Sequence, residues 1–582
     1  MGLTATNQQL ELDQSAAVAK GHASKEYRLK GVGILLFYAL TSALLIGLDR
    51  PPRPLGQQAP LSDFSSARAL NHLRVISRAP HPINSPEHAV VRDYILSTLR
   101  QLGVNPEIQK TTDVNQAVGL GGTLENIVCR LPGTGREKAV LLVSHYDSVP
   151  AGPGASDDGA AVAAFLEAAR ALKSLPPLRR DIIFLFTDGE EMGLLGARAF
   201  VSEHPWARDA AIVLNFEARG VSGPSIMFET SSQNGWLIKN FSQAASHPVA
   251  NSLSYEIYKR LPNNTDFTIF RQAGYSGLNF AFIDGVAYYH TSQDSLKNIN
   301  LGSLQHHGDY VLELAKRFGN ITSDDPKSED VIYFDVLGWF LVSYRQSLSI
   351  VLLTCSSALL AFALWRGVAI GNLRVRGIAI GFVSLIVEVV LTVAGAWTAS
   401  RLVFAVQKPT IEQGLIYHSG WYIVSFCVFG LAAGAVVQSL LVKRIGSANL
   451  MAGIVIGWTC LTIVVTIFLP GGSYLFLWPQ LFTLVGSIAI FAAKSSSVFL
   501  NNILPILSLI PTLALVLPMM HKMFFAFAAH SSVIVSGLAG LLLTLTTGQL
   551  VRDREPWPWG VPFALAIGAG ITLGAAVLVS AI

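Results

Sequence analysis

Hydrophobic and polar positions divide the chain into two regimes. Between about 56 and 325, residues 65–77 and 87–102 read as helices, whereas 140–143, 182–187, 212–216 and 278–282 are continuous apolar runs of strand length. Continuous rather than alternating hydrophobicity belongs to strands covered on both faces, the signature of a largely parallel sheet. Residues 159–172 (GAAVAAFLEAARAL) form an Ala-rich amphipathic helix between the first two runs. This strand–helix–strand rhythm predicts a doubly wound, mostly parallel α/β fold, whose ligands sit beyond the carboxyl ends of the strands.

After Asp335 the pattern changes to long apolar stretches near 347–365, 377–405, 419–441, 450–469, 474–493, 499–519, 524–547 and 560–581. A ninth, 31–48, follows Lys20, Lys25, Arg28 and Lys30 and continues as LDRPPRP. Its eighteen apolar residues suffice to cross a bilayer, and without a small-x-small exit it reads as an uncleaved anchor, not a signal peptide. The expected organisation is a cytoplasmic tail at 1–30, an anchor at 31–48, an α/β domain at 56–322, a linker at 323–346 and an all-α membrane domain of about eight helices at 347–582. The lipid bilayer is then an obligatory partner.

Composition sharpens this division. Only 14% of the 582 residues are charged, against about 25% in soluble domains. Residues 331–582 hold 12 Lys/Arg and 5 Asp/Glu, leaving 30 basic and 33 acidic residues before them. The net charge of +4 therefore comes from the membrane half, which argues against nucleic acid as a partner. Of the four cysteines only Cys129 lies in the α/β region, so no disulfide forms within it. With a cytoplasmic N-terminus, the inner loops hold Arg366, Arg374, Arg376, Lys443, Arg444, Lys494, Arg552 and Arg554, and the outer loops little beyond Lys408 and Lys522. This positive-inside asymmetry predicts a multi-pass protein with residues 49–346 on the non-cytoplasmic side, outside a bacterial plasma membrane or in the lumen of an endomembrane or vacuole.

Polar residues gather where the buried strands end. Residues 140–143 run into Ser144-His145-Tyr146-Asp147, and Ser156-Asp157-Asp158-Gly159 opens the Ala-rich helix. The 182–187 run ends in Asp188-Gly189-Glu190-Glu191, the 212–216 run in Glu217, and Tyr289-His290-Thr291 follows the last strand. Singly each has an ordinary reading: a loop histidine, a helix cap at Asp157-Asp158, a solvated Glu pair. Jointly they put two imidazoles and several carboxylates on one sheet edge, where uncompensated charges would repel strongly. Two divalent cations remove that conflict. His with Asp/Glu suits zinc, and a carboxylate shared by two metals holds them roughly 3.5–4 Å apart.

The ordered blocks HYD, SDDG, DGEEMGLLGA, NFEARG and YHTSQD resemble the M28 di-zinc peptidases over about 65–315. The anchor and eight-span tail further resemble the membrane-bound branch of that family, of the endoplasmic-reticulum metallopeptidase and vacuolar membrane protease type. The resemblance implies a zinc-dependent hydrolase, an aminopeptidase acting on a peptide or protein N-terminus, with two zinc ions per chain. It implies His145 and Glu217 on one zinc, Glu191 and His290 on the other, and Asp157 bridging both. Glu190 would be the general base, and Asp147 would accept the other ring N–H of His145 and fix its tautomer. Glu217 stands where many soluble members have Asp, as in the membrane branch. Asp158 would hold the turn that aims Asp157, and Asp266 would contact a substrate amine or form an Asx turn. His306 and His307 read as surface residues.

Three other functions fit parts of the sequence. A non-catalytic receptor-like relative should have lost ligands, which this chain has not. A transporter with an accessory peptidase-fold domain would use intramembrane polar groups, here Glu388, His418, Gln438 and His530. A glutaminyl-cyclase-like reaction resembles single-zinc members, whereas this residue set suits two metals.

Overall fold

A computed structural model describes residues 32–117, 119–323, 326–406, 419–492, 497, 499–527, 531–546 and 560–580. The chain splits into two compact units, one comprising 48–351 with 464–474 and the other the remainder. Helix α1 (Val32–Leu48) precedes the first of them.

The α/β unit contains, in chain order, α2 (Ser66–Ile76), α3 (Pro86–Gln101), β1 (Glu107–Asn115), β2 (Leu120–Leu131), β3 (Ala139–His145), α4 (Gly159–Lys173), β4 (Ile182–Thr187) and α5 (Leu195–Glu203). There follow β5 (Ala210–Ala218), β6 (Ile226–Thr230), α6 (Gly235–Ala244), α7 (Ser252–Tyr258), α8 (Asp266–Gln272), β7 (Ser276–Phe282), α9 (Leu301–Gly319), β8 (Val331–Val336) and β9 (Phe340–Arg345). Seven strands form one sheet in the order β1-β2-β4-β3-β5-β7-β6. The central four, β4-β3-β5-β7, are parallel, and β1, β2 and β6 add antiparallel edges. The doubly wound, mostly parallel fold is as the sequence predicts; the antiparallel edges are additional. Residues 331–345, expected within a linker, instead form the β8–β9 hairpin. The β-branched and aromatic residues of VIYFDV and FLVSYR suit strands, and the turn is made by Leu337 and Gly338, both at positive φ.

Local chemistry sets the helix starts. Ser65 caps α2 by accepting the Arg68 N–H, Ser85 caps α3 by accepting that of His88, and Asn300 caps α9 through the Gly302 and Ser303 N–H groups. The main core lies between the sheet and α2, α3, α4, α6 and α9, and a second lies on the opposite face under α5 and α8. Phe165 of α4 meets Phe184, Phe186 and Phe216 edge-on, each at 5.7 Å. Burying such a ring stabilises by about 1.5–3 kcal/mol and fixes α4, with the loop that enters it, against the strand ends.

The helical unit holds α10 (Gln346–Ala369), α11 (Val375–Val406), α12 (Ser419–Ile445), α13 (Ser447–Phe468), α14 (Tyr474–Ala492), α15 (Leu504–Ser508), α16 (Ile510–Phe527), α17 (Ser532–Leu545) and α18 (Gly560–Ser580). Among the described residues six spans are long and apolar enough to cross a membrane, and Val32–Leu48, Tyr474–Ile488 and Ser532–Leu545 are shorter apolar helices. The break expected at 520–523 is absent. α16 runs through it, and Lys522, expected in an outer loop, is buried inside that helix. A lysine's apolar stem permits this, so its charge was a poor loop marker. His418, His530, Lys408, Lys494, Arg552, Arg554 and the tail at 1–30 lie outside the described residues.

Candidate metal centre

The parallel register brings the polar residues to one level. His145, the last residue of β3, lies opposite Thr187 of β4, and Val143 lies opposite Asn215 of β5, so Glu217 falls level with His145. Glu190 and Glu191 follow β4, Asp157 precedes α4, and His290 follows β7. His290 has φ +58°, a backbone state that costs energy for a residue with a Cβ and signals a constrained site. Its loop closes on the 148–158 loop at Gly152, where a Cβ would lie 2.3 Å from the Thr291 carbonyl.

Five side chains converge. His145 Nε2 is 3.2 Å from Asp157 Oδ1 and 3.5 Å from Glu217 Oε2. His290 Nε2 is 3.1 Å from Asp157 Oδ2 and 3.1 Å from Glu191 Oε1. Asp157 therefore turns one oxygen to each histidine. Two ligands held about 2.1 Å from a tetrahedral ion stand about 3.4 Å apart, close to these separations. His290 Nε2 and Glu191 Oε1 are buried and close, yet neither has a hydrogen-bond partner. Atoms that approach without bonding one another are aimed at a common point. The donor set, imidazole and carboxylate with buried unpartnered atoms, fits zinc.

The charges are tightly coupled. Burial works against the protonated imidazoles, but the carboxylates overcome it: Asp157 and Glu191 push His290 up to about 10, and Asp147, Asp157 and Glu217 hold His145 well above the ordinary histidine range. Burial and the Asp157 charge raise Glu191 to about 7. Burial opposes ionisation of Asp157, yet His145 and His290 keep it well below the usual carboxylate range. The cluster thus draws protons onto its histidines, and a dication would replace them, since ligation needs neutral imidazole. Burial first, then Glu217, Glu191 and Asp266, lift the Glu190 carboxyl well above its ordinary value.

Three supporting residues make contacts beyond those the sequence suggests. His145 Nδ1 lies 3.0 Å from the main-chain carbonyl of Asp147 and 3.5 Å from its carboxylate, so the carbonyl is the nearer acceptor for the ring N–H. The Asp147 carboxylate accepts the backbone N–H groups of Glu190 (3.1 Å) and Glu191 (3.3 Å), which sets the segment carrying both glutamates. Asp158 occupies the N-cap position of α4 without capping it; its Oδ2 accepts the His145 N–H at 3.3 Å. Asp158 also stands with His145 and Glu217 in a group close enough to hold an ion, as do Asp157 and Glu191 with His145. Asp157 is the better ligand, because its two oxygens face the two Nε2 atoms, whereas Asp158 spends an oxygen on the main chain. Asp266 is fully buried at the start of α8 and accepts a hydrogen bond from the Thr187 hydroxyl.

His306 and His307, expected at the surface, are buried on α9. His306 Nδ1 accepts the Ser225 N–H and His307 Nδ1 pairs with the Ser225 hydroxyl, a polar match the sequence does not display. Asp294, in the YHTSQD block, is an overlooked residue. Its carboxylate accepts the N–H groups of Ser156 (2.7 Å) and Asp157 (3.1 Å) and ties the bridging loop to the His290 segment. Asp294→Ala is expected to weaken metal affinity about 10–100-fold, the usual cost of losing support behind a ligand. Chelator competition checks this; wild-type affinity would remove Asp294 from the site.

Residues 126–315 match the family model Peptidase family M28. The chain is 28% identical over 437 residues to endoplasmic reticulum metallopeptidase 1 of Mus musculus, covering 69% of this chain and 47% of the relative. It is 32% identical over 362 residues to the vacuolar membrane protease of Candida dubliniensis, covering 59% of this chain and 38% of that one. The chain thus spans about half or less of the length of these curated relatives. Among solved structures, the aminopeptidase from Aneurinibacillus sp. strain AM-1 aligns with TM-score 0.39 and 14% identity, over 46% of this chain and 98% of that one.

Proposed function

Starting from the Peptidase family M28 domain that residues 126–315 of this chain form, we propose that the protein is a membrane-anchored zinc aminopeptidase holding two zinc ions. One observation carries the reading: the two oxygens of Asp157 face two different histidines, each with its own second carboxylate, Glu217 or Glu191. His145, Glu217 and Asp157 would hold one ion, and Glu191, His290 and Asp157 the other. Bound zinc supplies Lewis acidity toward the peptide carbonyl and lowers the pKa of water.

The chain's own residues supply the rest. Glu190, beside Glu191 and held by the Asp147 clamp on its N–H, takes a proton from the attacking water and returns it to the departing amine. Its burial among neighbouring carboxyls suits a base that must also act as an acid, since a carboxyl shifted upward transfers protons near neutral pH. Asp147, Asp158 and Asp294 hold the segments bearing Glu190, His145 and Asp157 in place.

The apolar helices fit an integral membrane protein. Arg366, Arg374, Arg376, Lys443 and Arg444 at successive helix ends support placing the peptidase unit on the non-cytoplasmic side.

The test compares one peptide with a free and with an acetylated N-terminus. The free form is expected to be cleaved by stepwise loss of its first residue, and the acetylated form to resist. Equal cleavage of both, or cuts inside the peptide, would replace the aminopeptidase reading with an endopeptidase.

A further inference from the structure

Within the helical unit, three helices bring together a carboxylate, a hydroxyl and a carboxamide that have no part in peptide hydrolysis. Glu388 and Thr392 stand one turn apart on α11, and Gln438 stands on α12; all three are 1–2% exposed. Gln438 lies against the Glu388 carboxyl. Glycines make the room. A Cβ on Gly434 of α12 would lie 2.3 Å from Glu388 Oε1. One on Gly540 of α17 would lie 3.5 Å from Thr392 Oγ1 and 3.6 Å from Glu388 Oε1. Both oxygens therefore border a single point beside Gly540. The helices approach closely because small residues line their contact: a Cβ on Gly430 would lie 2.2 Å from the Ser536 carbonyl.

Glu388 Oε1 and Thr392 Oγ1 are buried and have no hydrogen-bond partner, and the buried Gln438 carboxamide is the polar group beside the Glu388 carboxyl. Among the described residues no cationic side chain offsets the Glu388 charge. An ionised carboxylate with no cationic partner is unfavourable in an apolar interior, so this cluster calls for a positive charge, a proton or a bound cation.

We propose that Glu388, Thr392 and Gln438 form a binding site for a monovalent alkali cation. The donors are oxygen atoms, which suit hard cations. There is one carboxylate, so a single positive charge brings the site to neutrality, whereas a divalent ion would leave an excess positive charge in an apolar bundle. Protonation answers the cluster less completely: a carboxylic acid carries one donor and can satisfy one neighbouring oxygen. A cation takes the Glu388, Thr392 and Gln438 oxygens together.

The experiment uses the full chain in detergent or lipid nanodiscs, in sodium chloride or choline chloride at equal ionic strength. Saturable binding of radioactive sodium by the wild type is expected, with a higher unfolding midpoint in sodium than in choline. Both effects should vanish in Glu388→Gln and weaken in Thr392→Val, with peptidase zinc content unchanged. Should Glu388→Gln fail to fold, the wild type and Thr392→Val decide. Absence of saturable sodium binding by the wild type, a midpoint that follows pH but not the cation, or undiminished binding in either folded variant overturns the proposal.

Discussion

Glu190→Gln is expected to keep the wild-type metal content and lose hydrolysis by about 10²–10⁴-fold, the usual contribution of a positioned general base. The amide has nearly the shape of the carboxyl, so the Asp147 clamp on the residue 190 N–H and the packing around it persist. What is lost is an atom that accepts a proton. Because Glu190 is not among the five converging side chains proposed to hold the ions, metal should be retained. Kinetics with a free-amine peptide, run alongside elemental analysis, check both halves. Retained hydrolysis would reject Glu190 as the base, and lost metal would make it a ligand.

Asp157→Ala should have a still larger effect. This side chain alone reaches both histidines, at 3.2 Å and 3.1 Å, and removing it leaves each half of the site one donor short. Metal content should fall, and hydrolysis should drop by on the order of 10³-fold or more, because bound metal contributes several kcal/mol and each 1.36 kcal/mol is tenfold in rate. Glu190→Gln and Asp157→Ala thus separate chemistry from occupancy. Equal metal content in both variants would show that Asp157 does not bridge.

The central sheet and the cluster of histidines and carboxylates at its edge were legible for the same reason. β3, β4, β5 and β7 are covered on both faces, so they appear as uninterrupted apolar runs, and the polar residues that end them stand out. β1 and β2 were not legible, because residues such as Lys110 and Thr112 are exposed at an antiparallel edge and dilute the apolar signal. Asp294 escaped notice because its task is to accept main-chain N–H groups, which any aspartate in any loop can do. His306 and His307 were misplaced because their polarity is matched by Ser225, a residue about eighty positions away in the chain. Periodicity reports how an element faces its surroundings; it does not report which distant partner a buried polar group will meet. The same limit applies to Lys522, whose charge marks a loop in sequence but lies within α16.

The number of zinc ions retained per purified chain, counted by mass spectrometry after dialysis against metal-free buffer, bears most directly on this account. Two carboxylate–histidine pairs sharing Asp157 predict two zinc ions per chain. A stable value of one in an active enzyme, or activity with none, would contradict the paired site.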